Sequence, residues 1–199
     1  MENFFTKYPK IVGIDEAGRG PLAGPVYAAA VLGEKKDLKN FKKLGLKDSK
    51  KLTAKKRESL CQQIKKYFQI GIGITGETTI DKINILNASL LAMKKAVQNL
   101  KLKPDLLLID GSRIIPNLFL KQKSVPQGDA KITLIQAASI VAKVERDNYI
   151  IQISKKYPEY GFQNHKGYGT KEHFSNLKKH GPCQIHRKSF RPVKDLLKI

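Results

Sequence analysis

Apolar and polar positions alternate in blocks along the chain. Residues 11–16 (IVGIDE) and 25–32 (PVYAAAVL) read as two strands on either side of a glycine-rich turn, and IGIGIT at 70–75 alternates as a third. DLLLID at 105–110 is the apolar run of a buried strand, and it ends in an acid, Asp110. Thr53 stands where it would cap a helix whose Leu60, Cys61, Ile64 and Phe68 share one face. A second helix is expected over about 84–100, because Leu86, Leu90, Met93, Val97 and Leu100 recur at helical spacing before Lys103-Pro104 stops it. A long helix is expected from about Leu134 to Lys156, with Ala137, Ala138, Ser139 and Ala142 forming a stretch small enough for close approach of a neighbour. From Tyr157 onward Gly, His and Pro predict loops and short helices. Strands and helices interleaved in this order predict an α/β fold with helices packed on a sheet. A length of 199 residues suits one domain over 1–199, with about 157–199 as a C-terminal extension.

Charge adds a partner to this picture. Lys and Arg number 38 against 17 Asp and Glu, a net charge of +21, which favours a polyanion whose counterions the surface would release. Lysine-rich composition is the plainer source of such a charge, since only six of the 38 basic residues are arginine. Lysine is a point charge without the planar fork of arginine, so this surface suits backbone phosphates better than base edges. No apolar run is long enough to cross a bilayer, and MENFFTKYPK lacks the apolar core of a signal peptide, so no membrane and a cytoplasmic location are expected. Cys61 and Cys183 lie far apart with no CxxC partner, which predicts two reduced thiols and neither a disulfide framework nor a zinc site.

Against this basic background, adjacent acids at the end of the first strand, Asp15 and Glu16, demand a reason. A dinucleotide site is one candidate, because residues 18–23 (GRGPLA) fit G-x-G-x-x-A in letter. That motif must open a helix, whereas Pro21 and Gly24-Pro25 break the turns and the chain resumes as a strand. Metal is the other candidate. At a frayed strand end both carboxylates could turn toward one ion, Asp110 ends another strand, and Asp129 follows Gly128 just before the long helix. Oxygen-only donors suit Mg²⁺ or Mn²⁺, and such a group in a basic protein describes a place where metal bridges carboxylates to a substrate phosphate. Each acid also has an ordinary reading: Asp129 as a helix cap, Asp110 as a strand terminator, Glu16 as a partner for lysine. Spacing alone leaves both open.

The motifs narrow the choice. GIDEAGRGPLAGPV at 13–26, DSKKLT at 48–53, LLIDG at 107–111, GDAK and AASIVAKVERD within 128–147, YPEYGF at 157–162, HKGYGT at 165–170 and HRKSF at 186–190 together resemble the bacterial ribonuclease HII family, in its order and over nearly the whole chain. The GRG form separates the chain from the related ribonuclease HIII group. The resemblance implies a ribonuclease H-like mixed sheet flanked by helices, with a small helical C-terminal extension. It assigns Asp15, Glu16, Asp110 and Asp129 as catalytic carboxylates holding two divalent ions, Mg²⁺ or Mn²⁺, with Asp15 as their bridge. Asp147, in KVERD, lies about five helical turns beyond Asp129 and reads as structural.

For the substrate, the resemblance implies RNA–DNA hybrids and duplex DNA containing ribonucleotides, cut 5′ of the ribonucleotide to leave 5′-phosphate and 3′-hydroxyl ends. Gly18, Arg19 and Gly20 would meet the 2′-hydroxyl, chiefly through backbone groups. Tyr168 would stack on the next deoxyribose. Lys50, Ser139 and Lys143 match phosphate-contacting elements, and Ser139 and Lys143 are four apart on one helix face. None of His165, His173, His180 and His186 is assigned to metal. A monomer is expected, with protein partners unspecified. Two rivals remain. A non-catalytic hybrid binder would not need all four acids, and a transposase-type or resolvase-type nuclease would lack the GRG and HKGYGT pair.

Overall fold

The computed structural model describes residues 2–46 and 52–197. Five strands form one sheet in the order β3-β2-β1-β4-β5: β1 (Lys10–Ala17), β2 (Val26–Glu34), β3 (Gln69–Thr75), β4 (Leu106–Asp110) and β5 (Gln122–Val125). The first three pair antiparallel, and β4 and β5 join parallel to β1, so the sheet is mixed. Nine helices occur among the described residues: α1 (Glu2–Lys7), α2 (Leu38–Leu44), α3 (Ala54–Tyr67), α4 (Glu77–Gln98), α5 (Gly128–Lys131), α6 (Thr133–Ser154), α7 (Phe162–His165), α8 (Lys171–His180) and α9 (Arg191–Leu197).

Strand alternation decides which helix covers which face. Ile11, Ala29, Val31, Leu106 and Leu108 pack with Leu60 and Ile64 of α3 and with Leu134, Ala138 and Val141 of α6. Val12, Ile14, Ala28, Ala30, Leu107 and Ile109 point the other way, onto Ile80, Met93 and Val97 of α4. α6 approaches β1 closely at its first turn, where any side chain at Gly13 would run into the backbone of Leu134 and Ile135. A third apolar cluster joins Leu22 and Ala23 to Ile150, Tyr160, Phe162, Leu177, Ile185 and Val193, and so seats the C-terminal helices on the loop that follows β1.

The predicted elements and the observed ones differ where local chemistry intervenes. Thr53 does cap α3, its hydroxyl accepting from Lys56 N–H at 3.3 Å. The helix expected from 84 begins at Glu77 and is broken at Asn84 (φ 64°, ψ 165°), whose side chain accepts from Asn87 N–H and restarts the helix. β5 had no apolar signature, because its QKSV pairs only with β4 at the sheet edge. β1 continues through Ala17, paired with Tyr27, so Asp15 and Glu16 lie inside a regular strand and not at a frayed end. They therefore face opposite sides of the sheet.

Candidate active site

The carboxylates gather where β1 and β4 run side by side. Ile14 pairs with Ile109, which brings Asp15 of β1 next to Asp110 of the parallel β4. Asp15 is 5% exposed and faces α6, where the Ser139 hydroxyl donates to it. Its Oδ1 also accepts from the Glu16 N–H at 2.7 Å. Glu16 faces the α4 side and lines an open cleft of about 130 Å³ with Asp110, Arg19 and Arg113, walled by Leu86, Leu90 and Met93. Asp110 is tied to the start of α5: its Oδ1 accepts from Gly128 N–H at 2.7 Å and from Asp129 N–H at 3.2 Å. Gln127, in the left-handed region at φ 57°, makes the turn that aims both amides. Asp129 itself is 8% exposed.

Burial first, then repulsion from Glu16 and Asp110, raises the Asp15 carboxyl well above its ordinary range. Burial also raises Glu16, against the pull of Arg19, whose Nη1 lies 3.3 Å from Glu16 Oε1. The other oxygen, Glu16 Oε2, is buried without a hydrogen-bond partner. Among the described residues no three Asp, Glu, His or Cys side chains already form a group that could hold an ion together. The donor set nevertheless fits a hard divalent cation: the ligands are all oxygen, one is orphaned, and two are held at a charge the protein alone disfavours.

The GRG turn is built from behind. Gly18 sits at φ +99°, and a side chain there would collide with Arg146. Arg146 and Arg187, both 0% exposed, donate mainly to backbone carbonyls of this loop, while Arg146 Nη1 is buried without a hydrogen-bond partner, 3.8 Å from Asp147. Arg187 donates to Gly18 O at 2.6 Å, Arg19 O at 3.0 Å and Gly24 O at 2.9 Å. Arg146 donates to Ala23 O and Pro25 O, each at 3.2 Å, and to Lys166 O at 3.1 Å. Burial and the neighbouring Arg146 charge push Arg187 down to about 9, which leaves it charged at neutral pH.

Tyr168 stands against the same turn, since a Cβ placed on Gly20 would lie 3.6 Å from its Cε1. Tyr168 is 41% exposed. Lys143 Nζ lies 5.4 Å and Arg146 Cζ 5.8 Å from its centroid. Lys143 also bonds Asp147 Oδ1 at 2.9 Å, and Asp147 lies 3.8 Å from Arg146 Nη1, so Asp147 is engaged by two cations of its own helix.

Residues 12–193 match the profile of the family described as Ribonuclease HII. The chain belongs to the ribonuclease HII family. It is 52% identical to the ribonuclease HII of Caldicellulosiruptor bescii over 96% of this chain and 90% of that protein. To the ribonuclease HII of Endomicrobium trichonymphae it is 50% identical, over 98% of this chain and 92% of that protein. The crystal structure of ribonuclease H2 from Pyrococcus horikoshii OT3 superposes with a TM-score of 0.80 at 26% identity, covering 95% of this chain and 97% of the other. A ribonuclease HII from Archaeoglobus fulgidus, solved in complex with PCNA, gives 0.72 at 27% identity over 94% and 96% of the two chains. Family membership makes this chain a ribonuclease H-type hydrolase acting on RNA–DNA hybrids.

In this chain Asp15, Glu16 and Asp110 lie near one another at one end of the sheet and Asp129 follows on the turn whose amides hold Asp110, without three of them closing on a common point; Arg19 pairs with Glu16, and Tyr168 stands by Gly20 and Lys143. Ser139 is placed differently from a free phosphate ligand, with its hydroxyl on Asp15. Lys50 lies outside the described residues, as does most of the DSKKLT motif. Pattern reading missed Arg146 and Arg187 as the clamp of the GRG turn. Their signal was compositional: they are arginines in a chain whose other cations are overwhelmingly lysine, and each occupies a quoted motif.

Proposed function

We propose that this member of the ribonuclease HII family cuts the phosphodiester bond 5′ of ribonucleotides embedded in duplex DNA, as well as the RNA strand of hybrids, leaving 5′-phosphate and 3′-hydroxyl ends. The observation that carries the reading is the Tyr168 ring standing over Gly20 of the GRG turn, which follows directly on the strand that carries Asp15 and Glu16. A 2′-hydroxyl is what tells a ribonucleotide from a deoxyribonucleotide, so a reader must reach it closely. In this role the Gly18-Arg19-Gly20 backbone approaches the hydroxyl, and Tyr168 packs on the sugar that follows. A second ribose there would obstruct the packing, which sets the cut at an RNA–DNA junction.

Asp15, Glu16, Asp110 and Asp129 would hold divalent cations, Mg²⁺ or Mn²⁺. When bound, such cations supply a hydroxide at neutral pH and offset charge on the departing 3′-oxygen. Ser139 orients Asp15 through its hydroxyl, and the Gly128 and Asp129 amides orient Asp110. Lys143, Arg19 and Arg113 lie where they would draw in the strand's phosphates. The test is cleavage of duplex DNA bearing one ribonucleotide, with Mg²⁺, with Mn²⁺ and with a chelator. Cutting 5′ of the ribonucleotide with either metal, and none with chelator, is expected; failure to cut with either metal overturns the reading.

A further inference from the structure

Behind Tyr168 lies a cluster of buried histidines that the chemistry above does not use. His165, His173 and His186 are 8%, 0% and 1% exposed. An amide N–H can only donate and a carbonyl can only accept, so the proton positions follow from the bonds. Cys183 N–H donates to His186 Nδ1 at 2.9 Å, which places the His186 proton on Nε2. That proton is directed at His173 Nε2, 3.1 Å away, so the His173 proton resides on Nδ1. From there it is donated to the carbonyl of Tyr168 at 2.9 Å. His165 is fixed in the same way, accepting from Gly167 N–H at Nδ1 and donating from Nε2 to Tyr160 O. Its ring stacks on His173 with centroids 4.5 Å apart. A second proton on His186 or His173 would meet another donor, and burial accordingly holds His186 down at about 4 and His173 below its usual value.

The same short segment reaches the ribonucleotide-reading loop by two arms. Arg187, next to His186, holds the carbonyls of Gly18 and Arg19. His186 acts through His173 on the carbonyl of Tyr168. Main-chain bonds close the loop between them: Leu22 N–H donates to Gly167 O, and Arg187 N–H to Leu22 O, each at 2.8 Å.

We propose that the neutral, tautomer-fixed pair His186 and His173 is a positioning device that sets the spacing between the Tyr168 ring and the GRG turn. The role rests on Tyr168 being the sugar-packing residue, as argued above. Packing alone would ask only for a ring-sized apolar group at 173. A positioning role asks for the Nδ1 donor, which an asparagine amide can reproduce and a leucine cannot.

Two measurements test it. Nitrogen-15 NMR of histidine-labelled protein should show His173 as the Nδ1–H tautomer and His186 as the Nε2–H tautomer; the reverse assignment overturns the proposal. In cleavage assays His173→Leu should lose roughly fivefold to tenfold on a single embedded ribonucleotide, the effect of one lost hydrogen bond, and less on uniform hybrid. His173→Asn should recover most of that loss. Equal losses for both variants on both substrates would reduce the pair to packing. Failure of the wild type to cut the embedded ribonucleotide removes the Tyr168 reading and this role with it. A cutting wild type whose substrate ratio ignores His173→Leu removes this role alone. NMR of the wild type needs no variant, so a His173 variant that fails to fold leaves the proposal open to refutation.

Discussion

The two polar regions of this molecule treat buried charge in opposite ways. At the ends of β1 and β4, Asp15 and Glu16 are desolvated and mutually repelled, and one Glu16 oxygen has no partner. Behind the GRG turn, Arg187 is equally buried but places three N–H bonds on three carbonyls, and three histidines are bonded at both ring nitrogens. The first region holds charge that a proton, an arriving cation or a substrate can relieve. The second uses nearly all of its hydrogen-bonding capacity internally, Arg146 Nη1 excepted, and what it fixes is the shape of the GRG turn. One region is left electrostatically open; the geometry of the other is largely closed.

The comparison breaks most visibly at the carboxylates. If the carboxylates hold the metal as proposed, Asp15→Asn or Asp110→Asn should lower cleavage by about a thousandfold or more, since several kcal/mol of metal-borne stabilisation would go with the side chain. Asp129→Asn should be strongly impaired, whereas Asp147→Asn, whose partners are Lys143 and Arg146, should stay active. Stability should move the other way. A carboxyl raised in the folded state favours folding when protonated, and that contribution is lost as pH climbs from its unfolded value through its folded one. At pH 7 the Asp15 charge therefore opposes folding. Asp15→Asn, assayed without divalent metal, should melt higher by a few degrees, on the order of 1 kcal/mol at this size. Calorimetry beside a cleavage assay checks both signs; a lower melting temperature with full activity would dissolve the contrast.

In the closed region the largest effect is expected at Arg187. Replacing it with Met strands three buried carbonyls, and about 3–5 kcal/mol of stability should go with it. Arg187→Lys should recover little, because a single ammonium cannot reproduce a planar fork aimed at Gly18, Arg19 and Gly24. Urea unfolding of the three proteins measures the difference, and a fully rescued lysine variant would show that charge matters there and not geometry.

Acid should separate the regions by sign. His186 titrates near 6.5 when unfolded and at about 4 when folded, so the unfolded chain binds the extra proton. Its contribution is fully present above pH 6.5 and is lost as pH falls through about 4, on the order of 3 kcal/mol at the limit. His173 shifts in the same direction. The raised Asp15 and Glu16 act in the opposite sense over the acid range. His186→Gln should therefore flatten the decline in stability between pH 6.5 and 4; an unchanged slope would mean that the buried pair does not titrate as drawn.

What the sequence disclosed follows the same division. Acids at the ends of apolar runs stand out because they interrupt a pattern, so Asp15, Glu16 and Asp110 were visible from hydropathy alone. Strands β1, β2 and β4 were visible for the complementary reason, being apolar on both faces. β5 was not, since a polar edge strand has one neighbour and little to bury. Arg146 and Arg187 stayed hidden because a cation in a chain of net charge +21 looks like solvated surface. Their burial depends on carbonyls supplied by a loop about 120–170 positions away, which no local pattern encodes. The histidine tautomers likewise depend on donors fixed only by the tertiary fold.

The smallest effect sharpens the comparison most, because it leaves both regions standing. Tyr168→Ala removes the ring beside Gly20 while keeping the carboxylates and the two arginines in place. Tyr168 is 41% exposed, so the folding energy that goes with its ring is smaller than for a buried aromatic. Aromatic packing on a nucleotide is worth about 1–3 kcal/mol per base, and a sugar face belongs at the low end, so a loss of about tenfold is expected on a single embedded ribonucleotide. Uniform RNA–DNA hybrid should lose less, because its next sugar is ribose and packs poorly against the ring in the wild type as well. All-DNA duplex should remain uncut by both proteins, since the GRG turn still meets no 2′-hydroxyl. The three duplexes must be compared at one ionic strength, as salt alone shifts phosphate-driven binding. Equal losses on the single ribonucleotide and on the hybrid would assign Tyr168 to general strand binding, and the closed region would then shape the loop for affinity and not for the choice of sugar.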